Sequence, residues 1–192
     1  MEKLPKPYYH DEDAGITIYH GDCRDILPHL PKVDLVLTDP PYGINKAEWD
    51  TSFPSWAIPL CVEKADCTWG RHYKWVIAGY NMNGMTYGAI GFGNWIPAVC
   101  AGKVKSKGRD AHSFVVGREP QEDHPDQKPL QFMRFLVNRL SESDDTILDP
   151  FMGSGTTLVA AKQLHRKAIG IEIEQRYCAI AVSRLQQGVL PI

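Results

Sequence analysis

The first residues that could do chemistry together form the stretch Thr38-Asp39-Pro40-Pro41-Tyr42-Gly43. They follow residues 33–37, a mostly apolar run that is typical of a short buried parallel strand. Asp39 is therefore expected where a strand ends and the chain turns outward. The two prolines remove two N–H donors and keep the backbone extended. The stretch would present a carboxylate, two rigid carbonyls and an aromatic ring at the edge where open α/β sheets bind ligands.

A second stretch, residues 149–157, joins a predicted strand to a predicted helix through glycine, serine and threonine, and it is called the glycine loop below. Gly153 and Gly155 allow a close backbone approach. The helix start offers N–H groups that suit a carboxylate or a polar ligand edge. The third glycine of the dinucleotide fingerprint is missing, and so is the lysine of nucleoside triphosphate loops. Both of those protein classes are therefore excluded.

Four acids each stand at the end of a predicted strand, and these are Asp22, Asp39, Asp149 and Glu172. In a parallel sheet they would line one edge. Glu172 follows the strand after the glycine loop, a position that commonly holds ribose hydroxyls, and a second acid can bind an adenine amino group. Each acid alone would also suit a turn or a helix cap. Four together favour a ligand site.

The remaining pattern predicts one α/β domain without repeats or linkers. Residues 1–14 form a polar lead-in, and residues 81–93, with four glycines, form a loop. Strands are predicted at 16–19, 33–37, 74–78, 95–100, 113–116, 146–148 and 168–173, with 95–100 and 113–116 as an antiparallel pair. Helices are predicted at 24–30, 56–65, 129–140, from the glycine loop to about 165, and at 174–187.

The composition of the 192 residues, 43% hydrophobic and 23% charged, is that of a globular domain with a sizeable core. No apolar run approaches the about 20 residues of a membrane helix, and the N-terminus lacks the apolar core of a signal peptide. Five cysteines without a Cys-x-x-Cys pair predict reduced thiols in a cytoplasmic protein and no metal site. A net charge of −2 gives no overall positive field, so nucleic acid would need a local basic face.

Taken together, these motifs resemble those of the DNA amino-methyltransferases that use S-adenosylmethionine, over almost the whole chain. TDPPYG resembles their catalytic motif, DPFMGSGTT their cofactor loop and GIEI their ribose-binding acid; Gly-Asp-Cys resembles the adenine-binding turn, and HPDQKP (124–129) the segment beside the cofactor. The catalytic motif precedes the cofactor loop, as in the beta group. The resemblance implies a Rossmann-like class I methyltransferase fold in circularly permuted order, with a mostly parallel seven-stranded sheet and helices on both faces. Residues 1–192 would then be a single catalytic domain.

The resemblance also implies S-adenosylmethionine as the cofactor and assigns the residues that hold it. These are Asp22, Cys23, Asp39, Gln127, Lys128, Asp149, Phe151, Gly153, Ser154, Gly155, Thr156, Thr157 and Glu172. For Gln127 and Lys128 an alternative is open, because Pro129 would begin a helix whose first residues are polar.

The catalytic residues implied are Asp39, Pro40, Pro41 and Tyr42. The lone pair of an exocyclic amine is delocalised into the base, and Asp39 and the Pro40 carbonyl would localise it by accepting the two amine hydrogens. Tyr42 would stack on a base rotated out of the duplex. The transfer is direct, so no cysteine nucleophile is required. Aspartate at the first position resembles adenine-specific members. The alternatives are N(4)-cytosine methylation and a non-catalytic module that binds cofactor or DNA.

Double-stranded DNA is the implied partner, in the setting of restriction and modification. Lys103, Lys105, Lys107 and Arg109 alternate, which on an extended chain places their charges on one side, towards phosphates. The alternative is a solvated hairpin or a lysine-guarded edge strand. The family's recognition insert before HPDQKP is reduced to residues 117–123. Target reading would therefore fall to a region around 81–111, be loose, or need a homodimer or partner subunit.

Overall fold

The computed structural model describes residues 4–39, 67–68, 75–81, 86–88, 91–93, 95–102, 111–114 and 127–187. The predicted helix at 56–65, residues 40–43 of the catalytic motif and the basic residues at 103–109 lie outside these ranges. The strands are β1 (Tyr9–Asp11), β2 (Ile16–His20), β3 (Leu35–Val36), β4 (Cys67–Thr68), β5 (Trp75–Asn81), β6 (Thr86–Gly88), β7 (Gly91–Gly93), β8 (Trp95–Gly102), β9 (Ala111–Phe114), β10 (Thr146–Asp149) and β11 (Lys167–Glu172). The helices are α1 (Cys23–Ile26), continued by a 3₁₀ turn (Leu27–His29), then α2 (Leu130–Leu140), α3 (Thr156–Gln163) and α4 (Gln175–Gln186).

The main sheet has the order β1-β2-β11-β10-β3, in which the last four strands are parallel and β1 is antiparallel to β2. Although β3 is short, its pairing with β10 is extended by backbone hydrogen bonds from Asp34 to Thr146 and from Leu37 to Leu148, each 3.0 Å long. The α/β architecture with a mostly parallel sheet is as predicted. Within the described ranges this sheet has five strands, and β4, β8, β5 and β9 form a separate sheet.

Both faces of the main sheet are covered because successive residues of a buried strand point to opposite sides. Ile147 packs with α2, α3 and α4, whereas the next residue, Leu148, packs with α1 and the turn that follows it. The apolar spacing predicted for α2 is confirmed, since its buried residues include Phe132, Met133, Leu136, Val137 and Leu140. Helices therefore flank the sheet on both faces, as predicted.

The polar lead-in contains a strand that the sequence pattern did not predict. β1 pairs with β2, with Tyr9 opposite Ile18. His10 contacts the Thr17 hydroxyl at 3.0 Å, and Lys162 binds the Asp11 carboxylate at 2.8 Å. An edge strand of this kind shows no apolar alternation, because hydrogen bonds to one neighbour and polar side-chain contacts hold it in place.

The predicted antiparallel pairing of 95–100 with 113–116 is wrong. β8 pairs antiparallel with β5, and β9 pairs parallel with the other side of β5. Residues 86–93, predicted as loop, contain the antiparallel pair β6 and β7. Local composition marks a strand but does not identify its partner. Among the helices in the described ranges, none is long and apolar enough to cross a membrane.

Candidate functional site

The four strand-end acids lie along one edge of the main sheet, as predicted. Glu172 and Asp149 are the last residues of β11 and β10, Asp22 follows β2 by two residues, and Asp39 follows β3 by three. Because β2, β11, β10 and β3 are adjacent and parallel, the acids stand in the order Asp22, Glu172, Asp149, Asp39. This edge is the carboxyl side of the sheet, where α/β proteins bind ligands.

Asp149 connects the segment after β3 to the glycine loop. Its Oδ1 accepts a hydrogen bond from the Thr38 hydroxyl at 2.8 Å and one from the Phe151 N–H at 3.2 Å. The side chain is buried, and burial raises its pKa to about 6, against the hydrogen bonds from Thr157 and Thr38. The nearby charge of Asp39 is a smaller cause of the same upward shift in this pKa. Asp149 therefore joins the ends of β3 and β10 from within the protein.

The glycine loop turns twice through left-handed backbone conformations. Gly153 has φ 51° and Gly155 has φ 77°, where a side chain would be strained. Gly155 is also the N-cap of α3, and its N–H donates to the Met152 carbonyl at 2.8 Å. A Cβ on Gly155 would lie 2.7 Å from the Cβ of Ala181. Glycine is thus required both by the turn and by the close approach of α4.

Glu172 holds the loop against the end of β11. Its Oε2 accepts from the Gly153 N–H at 2.9 Å, and its Oε1 accepts from the Glu174 N–H at 2.8 Å. Burial raises the pKa of Glu172, while these backbone hydrogen bonds act in the opposite direction. Each carboxylate oxygen can accept more than one hydrogen bond. Glu172 can therefore hold the loop and also accept ligand hydroxyls.

Asp22 behaves as a helix cap in this structure. It is the N-cap of α1, where its Oδ1 accepts from the Arg24 N–H at 2.9 Å, and it forms an ion pair with the Arg24 guanidinium. This arginine lowers the pKa of Asp22. The Cys23 side chain is buried against Ile26 and Leu27 in the core. Any ligand contact by Cys23 would accordingly come from its backbone.

Gln127 and Lys128 link the glycine loop and Asp39. The Lys128 ammonium forms an ion pair with Asp39, and the Gln127 Oε1 accepts from the Ser154 hydroxyl at 3.0 Å. The N-cap of α2 is Pro129, and it makes no side-chain cap hydrogen bond. Residues 127 and 128 therefore stand directly before α2, and their side chains contact Ser154 and Asp39.

Three residues at the site received no role from the sequence. Arg184, on α4, donates from Nη1 to the Ser154 carbonyl at 2.7 Å and to the hydroxyls of Ser154 and Thr156 at 3.0 Å each. Ile173, directly after Glu172, is a large apolar residue with 59% of its surface exposed. Thr38 was named as part of its stretch but without a role, and the structure pairs its hydroxyl with Asp149. Arg184 lies 30 residues from Ser154 and has no local signal in the sequence.

Several predicted site residues fall outside the part of the chain that the structure describes. Pro40, Pro41 and Tyr42, and the basic set Lys103, Lys105, Lys107 and Arg109, lie outside the described ranges. Within those ranges, no three histidine, cysteine or acidic side chains come close enough to hold a metal ion.

Known proteins of similar sequence match this chain over most of its length. The Type II methyltransferase M2.MboI of Moraxella bovis is 24% identical over 250 residues, covering 95% of this chain and 92% of the relative. The Type II methyltransferase M.ScaI of Streptomyces caespitosus is 26% identical over 260 residues, covering 95% of this chain and 84% of the relative.

Solved structures agree with the described fold. The crystal structure of the M1.HpyAVI–SAM complex has a TM-score of 0.66 at 27% identity, covering 89% of this chain and 99% of that one. The PvuII DNA methyltransferase (cytosine-N4-specific) has a TM-score of 0.73 at 17% identity, covering 97% and 91%, which is a likeness of fold alone. The predicted class I methyltransferase fold is thereby confirmed. A family model for DNA methylases, N6_N4_Mtase, matches residues 62–183, and the chain belongs to this family.

Proposed function

We propose that this chain transfers the methyl group of S-adenosylmethionine to the exocyclic amino group of adenine in DNA. The observation that carries the proposal is the double link between Asp39 and the glycine loop. Thr38 hydrogen-bonds to Asp149, and Lys128 pairs with Asp39 while Gln127 binds Ser154. An acid for the methyl acceptor and a loop for the methyl donor thus share one edge of the sheet.

The residues at this edge suit S-adenosylmethionine chemically. The Glu172 carboxylate keeps acceptor capacity for the two ribose hydroxyls, and the exposed Ile173 beside it offers an apolar surface to a flat adenine ring. Gln127 and the turns at Gly153 and Gly155 offer polar groups to the amino-acid end. The cofactor itself supplies an electrophilic methyl group on a sulfonium. The chain's task is to orient that group towards the acceptor.

On the acceptor side, Asp39 and the Pro40 carbonyl would accept the two hydrogens of the amine and so localise its lone pair. Lys128 balances the charge of Asp39 at an edge that also carries Asp149 and Glu172. Tyr42 would stack on a base rotated out of the duplex. Cytosine methylated at N(4) remains the second candidate, since the same chemistry serves its exocyclic amine.

DNA contact is proposed for the alternating charges Lys103, Lys105, Lys107 and Arg109, because such alternation on an extended chain would direct all four charges to one side. Residues 1–192 would act as one catalytic domain, with residues 81–111 contributing to target reading. The alternatives are that target reading is loose, or that a homodimer or a partner subunit makes the contacts to the target sequence. Such an enzyme would work in the cytoplasm beside the DNA it modifies.

Methyl transfer can be tested with labelled S-adenosylmethionine and unmethylated genomic DNA, followed by identification of the modified base. We expect N(6)-methyladenine, and a loss of about 100-fold or more in rate with Asp39→Asn. The matched control is Asp13→Asn, because Asp13 is exposed in the turn before β2, at the opposite edge of the sheet. Labelled cytosine would replace the adenine assignment with the second candidate. Cofactor binding without transfer to any base would contradict the catalytic proposal.

A further inference from the structure

We propose that Arg184 is a positioning residue that orients the Gln127 side-chain amide, so that its NH₂ group meets the carboxylate of the methyl donor. The inference rests on the proposed function, since it concerns how the same site holds S-adenosylmethionine. It assigns a role in ligand recognition to a residue of the last described helix.

Arg184 contacts the glycine loop from helix α4. One guanidinium nitrogen, Nη1, donates to the Ser154 carbonyl at 2.7 Å and to the Ser154 and Thr156 hydroxyls at 3.0 Å. Ser154 and Thr156 are both buried, with 4% and 6% of their surfaces exposed. In a buried setting the direction of each hydrogen bond matters, because a hydroxyl proton without an acceptor costs free energy.

The chemistry of arginine sets that direction. A guanidinium can only donate, so in its contact with Arg184 the Ser154 hydroxyl is the acceptor. Nη1 has two hydrogens for three acceptors, so at least one hydrogen is shared between two of them. The hydroxyl keeps its own proton, and in the structure it donates that proton to the Gln127 Oε1 at 3.0 Å. With Oε1 facing Ser154, the NH₂ group of Gln127 is turned away from it. Arg184 thereby selects one of two amide orientations that have nearly the same shape.

Helix α4, which carries Arg184, packs closely against the glycine loop. Ala181 and Arg184 are three residues apart on α4 and so share one face. The Cβ of Ala181 lies 2.7 Å from the position that a Cβ on Gly155 would occupy. The same helical face therefore contacts the loop at Gly155 and, through Arg184, at Ser154 and Thr156.

The ligand group that suits an amide NH₂ is an anion. The amino-acid end of S-adenosylmethionine carries a carboxylate, and hydrogen bonds to a charged acceptor are stronger than neutral ones. The neighbouring cation, Lys128, already forms an ion pair with Asp39. A reversed amide would present its oxygen to that carboxylate and repel it.

Binding of two ligands tests the inference, because they differ in the amino-acid end. S-adenosylhomocysteine carries the carboxylate, whereas 5′-methylthioadenosine shares the nucleoside and thioether but lacks it. The measured quantity is the preference, the ratio of the dissociation constant of 5′-methylthioadenosine to that of S-adenosylhomocysteine, by calorimetry. In Arg184→Met we expect the preference to fall about tenfold, with 5′-methylthioadenosine bound within about twofold of wild type.

Two further variants separate orientation from simple support of the fold. In a Gln127→Met background, Arg184→Met should lower the preference no further, since the amide is gone. Arg176→Met is the matched control, being an arginine of α4 whose side chain is 65% exposed, and it should leave the preference unchanged. Thermal melting of each variant verifies folding.

Equal weakening of both ligands in Arg184→Met would overturn the inference, and so would a full additional loss in the Gln127→Met background. Failure of the wild-type protein to bind S-adenosylhomocysteine would instead contradict the proposed function itself. The two failures are therefore distinguishable in one set of titrations.

Discussion

Replacing Asp149 by asparagine should remove a pH dependence of stability that this carboxyl creates. Asparagine has the same shape and can still accept at Oδ1 from Thr38 and Phe151. The change therefore preserves the link between β3 and the glycine loop but abolishes the titration. It isolates the cost of keeping a charge at a side chain that is only 3% exposed.

The magnitude follows from the pKa of Asp149, which burial raises from the ordinary 3.8 to about 6. The folded protein therefore binds this proton more tightly than the unfolded chain. Protonation of Asp149 therefore stabilises the folded protein. This stabilisation is fully present below pH 3.8 and is lost as the pH rises through about 6. A shift of about 2 pKa units corresponds to about 3 kcal/mol in the free energy of unfolding. Relative to wild type, Asp149→Asn should gain up to this amount between pH 4 and pH 7.

Urea unfolding of both proteins at closely spaced pH values provides the measurement, with the difference in unfolding free energy plotted against pH. The pKa of Glu172 is also raised by burial, but Glu172 is present in both proteins, so its contribution cancels in the difference. Asp22→Asn is the control with the opposite sign, because Arg24 lowers the pKa of Asp22. Its difference curve should stay flat above about pH 5 and change as the pH falls further, because the lowered pKa of Asp22 makes stability disappear in acid. A flat curve for Asp149→Asn between pH 4 and pH 7 would refute the reasoning.

Gly155→Ala should lower the free energy of unfolding by about 2–3 kcal/mol, from a left-handed backbone and a Cβ contact with Ala181. In urea unfolding, adding Ala181→Gly should recover the part due to the contact, and a neutral Gly155→Ala would contradict the loop geometry. Glu172→Gln should weaken S-adenosylhomocysteine and 5′-methylthioadenosine equally, about tenfold each, because both carry the ribose. Calorimetry checks this, and unchanged affinities would exclude Glu172 as the ribose acid.

Elements whose signal is local were predicted well. The apolar runs in β2, β10 and β11 are bounded by turn residues, and the α2 spacing marks one buried face. β1 was missed because its three residues, Tyr-His-Asp, carry no such pattern. The pairing of β8 and β9 was wrong because strand composition leaves the choice of partner to the rest of the fold.

At the site, the sequence predicted the positions of the acids better than their surroundings. Asp22 and Asp149 look alike in the sequence, since each follows a strand. In the structure one is a helix cap paired with Arg24, and the other is buried under Thr38 and Phe151. Their pKa values accordingly move in opposite directions. Burial and partner identity are properties of packing, which no local window contains.

By itself, the sequence determined that Asp22, Glu172, Asp149 and Asp39 share one edge, because the carboxyl ends of parallel strands meet there. Only the tertiary structure decided what these acids touch. Thr38 reaches Asp149 across 111 residues, and Arg184 reaches Ser154 across 30. Such contacts exist because the sheet order and the packing of α4 bring distant segments within hydrogen-bond distance. Neither the sheet order nor that packing is encoded in the spacing of neighbouring residues.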